Sequence, residues 1–292
     1  DNGRIELIFY RNNDSLLFKD SEVLKKLKFT WLEDCLVGEG IKRQFKNVEF
    51  YHLHQPFLNI FGGHHYSNLK NDRIEKKNTF FSLIKLWTMQ RVRKHRNLLV
   101  QKMYWHKLVY PGKEYLKDAI IKVDDKPPAE NHLKFKDLES EYGKIFLDQA
   151  IWKDGIPVIS CYENTYFELA SETLGEDDSD DSFYITEKTL KPIAMGHPFI
   201  MLATKHFLKN LRELGFKTFG DFIDESYDEC DNVSDRIDII SKNLERLNMI
   251  ESKKFYKDTR SICEHNQNHL MYLYGRYKFD LWKNLDGLFK KY

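Results

Sequence analysis

No stretch of this chain approaches the ~20 consecutive apolar residues that a membrane-crossing helix needs, so no span is expected. The first residues show no basic-then-apolar leader pattern, and none is expected. The chain begins at Asp1 and not at Met, which leaves room for a segment before it. Charge of one sign is also missing. The 46 Lys and Arg nearly balance the 45 Asp and Glu, a formal net charge of +1, so no global field draws the chain to nucleic acid or an anionic surface. Paired cysteines are missing too. The four, Cys35, Cys161, Cys230 and Cys263, form no C-x-x-C and have no histidine at zinc spacing. Free thiols in a reducing, cytoplasmic compartment are the expectation. Internal repeats are absent.

What is present suffices for a packed core. Hydrophobic residues make up 41% of the 292, enough for one large domain or two modest ones. Aromatics are abundant, with 21 Phe and 16 Tyr, which suits carbohydrate contact but belongs by default to the core.

Taken in order, Arg4–Tyr10 reads as a strand, Ser21–Phe29 as a short helix and Val48–Leu53 as a second strand. A loop with His52, His54, His64 and His65 follows; the spacing is loose and no carboxylate cluster supports it, so acceptor contact or ordinary surface is the reading, not a metal site. Asn71–Lys77 is a charged link. Thr79–Leu86 is a strongly apolar strand, and Arg91–Arg96 opens a helix running to about Leu108. Alone, that basic stretch reads as an exposed helix face of the kind that meets nucleic acid, which the balanced net charge argues against. Lys117–Val123 and Pro157–Tyr162 read as strands, with a helix over Tyr142–Trp152 between them. Asp178-Ser179-Asp180 has the D-x-D spacing of some metal sites, but without a strand before it the run reads as solvated. Lys205–Leu214 is a helix closed by Gly215, Phe216–Phe219 a short strand, and Ser234 caps a helix with Ile237, Ile240, Leu244 and Leu247 on one face. The tail from Ser252 is largely helical.

The most informative stretch is Ser182–Leu202, S-F-Y-I-T-E-K-T-L-K-P-I-A-M-G-H-P-F-I-M-L. It reads as strand, sharp turn, helix capped by Thr186 and stopped by Gly196, then a buried strand. Ligands of open α/β sheets bind at such bends. A helix N-terminus favours anions; Lys188 adds a point charge and Glu187 can accept bonds from sugar hydroxyls. A surface ion pair at a helix start fits the same two residues equally well.

Tyr184-Ile185-Thr186-Glu187-Lys188 resembles the Y-x-T-E-K segment of bacterial α1,3-fucosyltransferases. The longer run T-E-K-T-x-K-P-x-x-x-G-x-P-F resembles fucosyltransferase-like and exostosin-like glycosyltransferases of viruses, phages and bacteria, over roughly residues 160–250. The resemblance implies an α/β fold of the GT-B type, two Rossmann-like domains facing a cleft, with a helical C-terminal tail. It implies a small acceptor-side domain over 1–77, a donor nucleotide-sugar domain over 78–250 and the tail over 251–292. The implied reaction moves a sugar (fucose, xylose or similar) from a GDP- or UDP-sugar to a glycan hydroxyl, inverting and metal-independent, in the cytoplasm of a bacterium or a virus-infected host cell. A non-catalytic nucleotide-sugar or glycan-binding module is the alternative.

The resemblance also assigns residues. Arg96 and Asn97 match the family's pyrophosphate-binding Arg-Asn, with Arg93 a second contact; a guanidinium fork suits phosphate oxygens. Tyr184, Thr186, Glu187 and Lys188 complete the donor site. The family's F-E-N-S segment is matched either by Tyr162-Glu163-Asn164, with Thr165–Ser182 an insertion, or by Glu168–Thr173, which contains S-E-T. No catalytic base carries over. Asp72 is the first candidate, His65 the second and Asp14 the third. No metal and no cofactor are expected beyond the nucleotide sugar as co-substrate. The expected partners are that donor and a glycan acceptor, without nucleic acid.

Overall fold

The computed structural model describes residues 7–11, 29–33, 48–52, 75–88, 91–109, 116, 118–124, 159–175 and 183–289. The fold is mixed α/β, and its centre is a parallel four-stranded sheet with helices around it. Its strands are β4 (Asn78–Lys85), β7 (Ile120–Asp124), β8 (Thr165–Ser171) and β9 (Phe199–Leu202), in spatial order β7-β4-β8-β9. All pairings are parallel: Phe81 faces Ile120 on one side and Glu168 on the other, and Glu168 in turn faces Phe199. Every residue of β8 and β9 is buried, as a parallel sheet covered on both faces requires. A second parallel sheet, in order β1-β2-β3, pairs Leu7–Arg11, Phe29–Glu33 and Val48–His52. Residues Trp87–Thr88 (β5) and Arg91–Val92 (β6) make a two-stranded antiparallel ribbon after β4.

Seven α-helices lie in the described residues: α1 (Lys94–Val109), α2 (Ile159–Asn164), α3 (Glu187–Ala194), α4 (Phe207–Glu213), α5 (Val233–Arg246), α6 (Met249–Asp258) and α7 (Arg260–Phe289). Helix α3 is the crossover between β8 and β9. It ends in a Schellman motif: Gly196, at φ +57°, donates to the Ile193 carbonyl and His197 to that of Pro192, and only glycine takes that backbone cheaply. Helix α6 covers β4 and β8, with Phe255 edge-on to Phe167 and Tyr256 against Tyr166. Helix α7 is fastened to α3 by Gln267, which donates to the Ala194 carbonyl at 2.7 Å, and by Arg260, which donates to that of Gly196. The boundary expected at residue 250 therefore falls within a helix that packs on the sheet.

Several elements differ from the sequence expectation. Of the strand expected over Pro157–Tyr162, residues 159–162 are described, and they are helical. Ile159–Asn164 is a short helix, and the strand is Thr165–Ser171, read above as an insertion. The register is set at this corner: Thr165 Oγ1 donates to the Cys161 carbonyl at 2.7 Å, and the Tyr162 ring stands edge-on to Phe81. Phe216–Phe219 is also no strand. Side chains satisfy its backbone instead: Asn266 pairs with both the amide and the carbonyl of Lys217, and the Phe219 amide donates to Glu225 Oε1. Phe183–Ile185 forms only an isolated bridge at Phe183. The cap of α5 is Asn232 and not Ser234; its Oδ1 accepts from the Asp235 amide at 2.8 Å. Strand β2 went unforeseen; of the helix expected over Ser21–Phe29 only Phe29 is described, and it opens β2, while the helix expected over 142–152 lies outside the described residues.

Candidate functional site

The order β7-β4-β8-β9 has a switch point. After β4 the chain moves outward to β7; after β8 it moves the opposite way to β9. The carboxyl ends of β4 and β8 thus open a crevice from which the chain departs in both directions, the usual ligand position in open α/β sheets. From the β4 side come Arg93, His95 and Arg96 at the start of α1. From the β8 side come Glu172 and Thr173, then Thr186, Glu187 and Lys188 at the start of α3.

The first turn of α3 is capped by Thr186, in extended backbone, whose Oγ1 accepts from the Lys188 amide at 3.3 Å. Lys188 Nζ lies 2.5 Å from Glu187 Oε1 and 3.4 Å from both Thr173 Oγ1 and Thr186 Oγ1. Both charged side chains keep solvent access, 17% for Lys188 and 31% for Glu187. Burial acts to raise the Glu187 carboxyl, but the charge and hydrogen bond of Lys188, the charge of Lys191 and its own backbone outweigh it and hold it at about 2. Glu187 is therefore an ionised acceptor and no proton carrier near neutrality.

Glu172, just past the end of β8, is fully buried. Its Oε1 accepts from the Thr186 amide at 2.9 Å and Thr189 Oγ1 at 2.6 Å. Its Oε2 accepts from Thr186 Oγ1 at 2.6 Å and the Thr173 amide at 2.8 Å. Its carbonyl accepts from Arg96 Nη2 at 2.6 Å, Arg96 Nε at 3.2 Å and His95 Nε2 at 3.0 Å. Arg93 Nη1 donates to the next carbonyl, Thr173, at 2.9 Å. Gly175 permits this closeness: a Cβ there would stand 2.6 Å from the His95 ring.

The structure thus gathers Arg93, Arg96, Thr186, Glu187 and Lys188 around one crevice, but it gives the arginines a different orientation from the one expected. Each is only 3% exposed and points a guanidinium N–H at a backbone carbonyl of the β8 loop. Asn97 is half-buried in the first turn of α1, and Tyr184 is buried. Of the two F-E-N-S alternatives, Ser171-Glu172-Thr173 lies at the carboxyl end of β8 beside Lys188, whereas Glu163-Asn164 lies at the amino end of the strand, remote from the crevice along the chain. Asp72, His65 and Asp14, the base candidates, lie outside the described residues, as do Asp178 and Asp180. Among the described residues no group of three or more His, Cys, Asp or Glu side chains could hold a metal ion, and no helix is long and apolar enough to cross a membrane.

Sequence reasoning missed one feature of the α3–β8 contact. Glu168 shares a face of β8 with Glu172 by the strand's two-residue period and accepts from Tyr162 Oη at 2.9 Å. Burial pushes its carboxyl up to about 8, against the Tyr162 hydrogen bond and the charge of Lys191. A polar letter inside an apolar run, F-E-L, was the available signal.

Set beside known proteins, the chain matches no protein family, no curated protein and no solved structure.

Proposed function

We propose that this chain is a glycosyltransferase of the GT-B type, moving a sugar from a nucleoside diphosphate to a glycan hydroxyl, inverting and without a metal. The observation that supports it most is the meeting of Lys188, the N-terminus of α3 and two arginines at the switch point of a parallel sheet. A departing diphosphate needs its growing charge neutralised, and preorganised cations with helix N–H groups supply that neutralisation. Lys188, which keeps solvent access, is the direct phosphate contact in this reading. Arg93 and Arg96 hold the Glu172–Thr173 backbone and contribute positive potential from behind it. Glu187, ionised across the physiological range, accepts from the ribose hydroxyls. The β1–β2–β3 sheet belongs to the acceptor side, where Asp72 or His65 supplies the base.

A nucleotide-sugar-binding module without turnover is the second reading, which uses the same Lys188 and Glu187 contacts, with Glu187 as a ligand, and needs no base. A thermal-shift screen with UDP, GDP, CMP and dTDP sugars tests binding, because a ligand of the folded state raises apparent stability. A shift with at least one of them is expected. Release of the free nucleoside diphosphate in the presence of a glycan acceptor then separates enzyme from module, and no shift with any donor rejects both.

A further inference from the structure

Three separate elements meet on Glu172. Its amide donates to the Leu202 carbonyl at 2.9 Å, which ties it to the end of β9. Its carbonyl takes Arg96 and His95 of α1. Its carboxylate takes the amide and hydroxyl of Thr186 and the hydroxyl of Thr189, all of α3. Helices α1 and α3 thus have their first turns fixed to one residue, and with them Arg96 and Lys188.

We propose that Glu172 is the positioning residue of the nucleotide site: it sets the spacing between the start of α1 and the start of α3, and so places Lys188 on the diphosphate. The inference rests on the nucleotide-binding reading given above. Glu172 itself is sealed from solvent and acts through Thr186 and Thr189.

The chemistry of the carboxylate makes this sharply testable. Each oxygen faces one backbone N–H, Thr186 for Oε1 and Thr173 for Oε2, and one threonine hydroxyl. Hydroxyls can rotate and accept, but an amide N–H cannot reverse. Glu172→Gln therefore sets its NH2 against an amide N–H in either orientation, and one wall of the crevice must shift. Thr189→Val is milder. It preserves shape and removes a single donor from Oε1, on a residue buried beneath the helix.

The test is calorimetric titration of the full chain with UDP and GDP, for the wild type, Glu172→Gln, Thr189→Val, Lys188→Ala and the doubles with Lys188→Ala. The expected result is a loss of nucleotide affinity of roughly tenfold for Glu172→Gln and a few-fold for Thr189→Val. Both losses should largely vanish in the Lys188→Ala background, because residues that act through one contact are not additive. A residue of merely structural role would lower the melting temperature and leave the folded protein's affinity unchanged. Should Glu172→Gln not fold, Thr189→Val carries the same cycle alone. If the wild type binds and the variants bind equally, or lose affinity equally with and without Lys188, the positioning role is overturned while the nucleotide site stands. If the wild type binds neither nucleotide, the reading of the site falls and this inference with it.

Discussion

Lys188 Nζ stands 2.5 Å from Glu187 Oε1 at the first turn of α3, so a cation and an anion adjacent in sequence leave the same helix end. The two do not simply neutralise each other. The ammonium also reaches Thr173 and Thr186, and the carboxylate stays ionised beside the helix N-terminus, where negative charge is favoured. A ligand carrying both phosphate and hydroxyls can use the pair as two separate contacts.

Removing Lys188 and removing Arg96 should then have different consequences. Lys188→Ala deletes a charge-assisted phosphate bond, roughly 1.5–3 kcal/mol of diphosphate affinity, with little change in stability. Arg96→Ala leaves the buried carbonyl of Glu172 with His95 alone among the donors described above, and costs about 1–3 kcal/mol of folding stability. Calorimetry with UDP or GDP and urea unfolding of both variants separate the two effects. A reversal of that pattern makes Arg96 the phosphate ligand.

Glu187→Gln should raise the donor KM more than it lowers kcat, since glutamine keeps one acceptor oxygen and loses the charge. Asp72→Asn should do the opposite, with near-normal KM and turnover cut by roughly 10²–10⁴-fold. Steady-state kinetics with one active donor decide between them. Loss of turnover at saturating donor in Glu187→Gln, with Asp72→Asn near wild type, puts the base on the wrong side of the crevice.

Glu168 predicts an unusual alkaline loss of stability. Its folded value is raised by burial from 4.5 to about 8, so its contribution is fully present below about pH 4.5 and is lost as pH rises toward 8. Glu168→Gln keeps the shape and an acceptor for Tyr162 Oη without the charge. It should therefore gain on the wild type, by an amount on the order of 1–3 kcal/mol, between pH 5 and pH 8. Denaturant midpoints at the two pH values are the check; equal differences at both leave Glu168 without a titrating role.

His197 predicts a loss on the acid side. It is buried between Tyr162, Phe81 and Tyr256; burial first, then the charges of Lys76 and Arg260, hold its imidazole well below its ordinary value, against a contact with the Phe167 backbone. The stability associated with the neutral ring is complete above about pH 6.5 and is lost as pH falls below it. His197→Phe, which fits the aromatic surroundings, should flatten the pH dependence of the melting temperature between about pH 4.5 and 6.5. An unchanged slope there assigns the acid lability to other groups.

Much of the central unit was legible because its signals are local. The apolar run of β4 and the cap-and-stop pair Thr186 and Gly196 around α3 depend on neighbours only a few positions away. So do the buried run of β9 and the helical period of α5. Short-range chemistry also placed Glu187 and Lys188 at a helix start. Strand β8 was hidden by Glu168 inside it and Glu172 just past its end, letters that read as loop when their buried surroundings are not yet known. Glu172 meets its partners 14 and 17 residues ahead at Thr186 and Thr189, and 76 and 77 residues back at Arg96 and His95. A buried carboxylate is tolerable only where the fold supplies several donors at once, and an arginine turns to a carbonyl or to a ligand according to which stands at the end of its reach. The sequence by itself determined which residues carry charge and where helices begin. Only the tertiary structure decided which charges meet, because hydrogen bonds between distant segments exist only after the sheet order has brought their ends together.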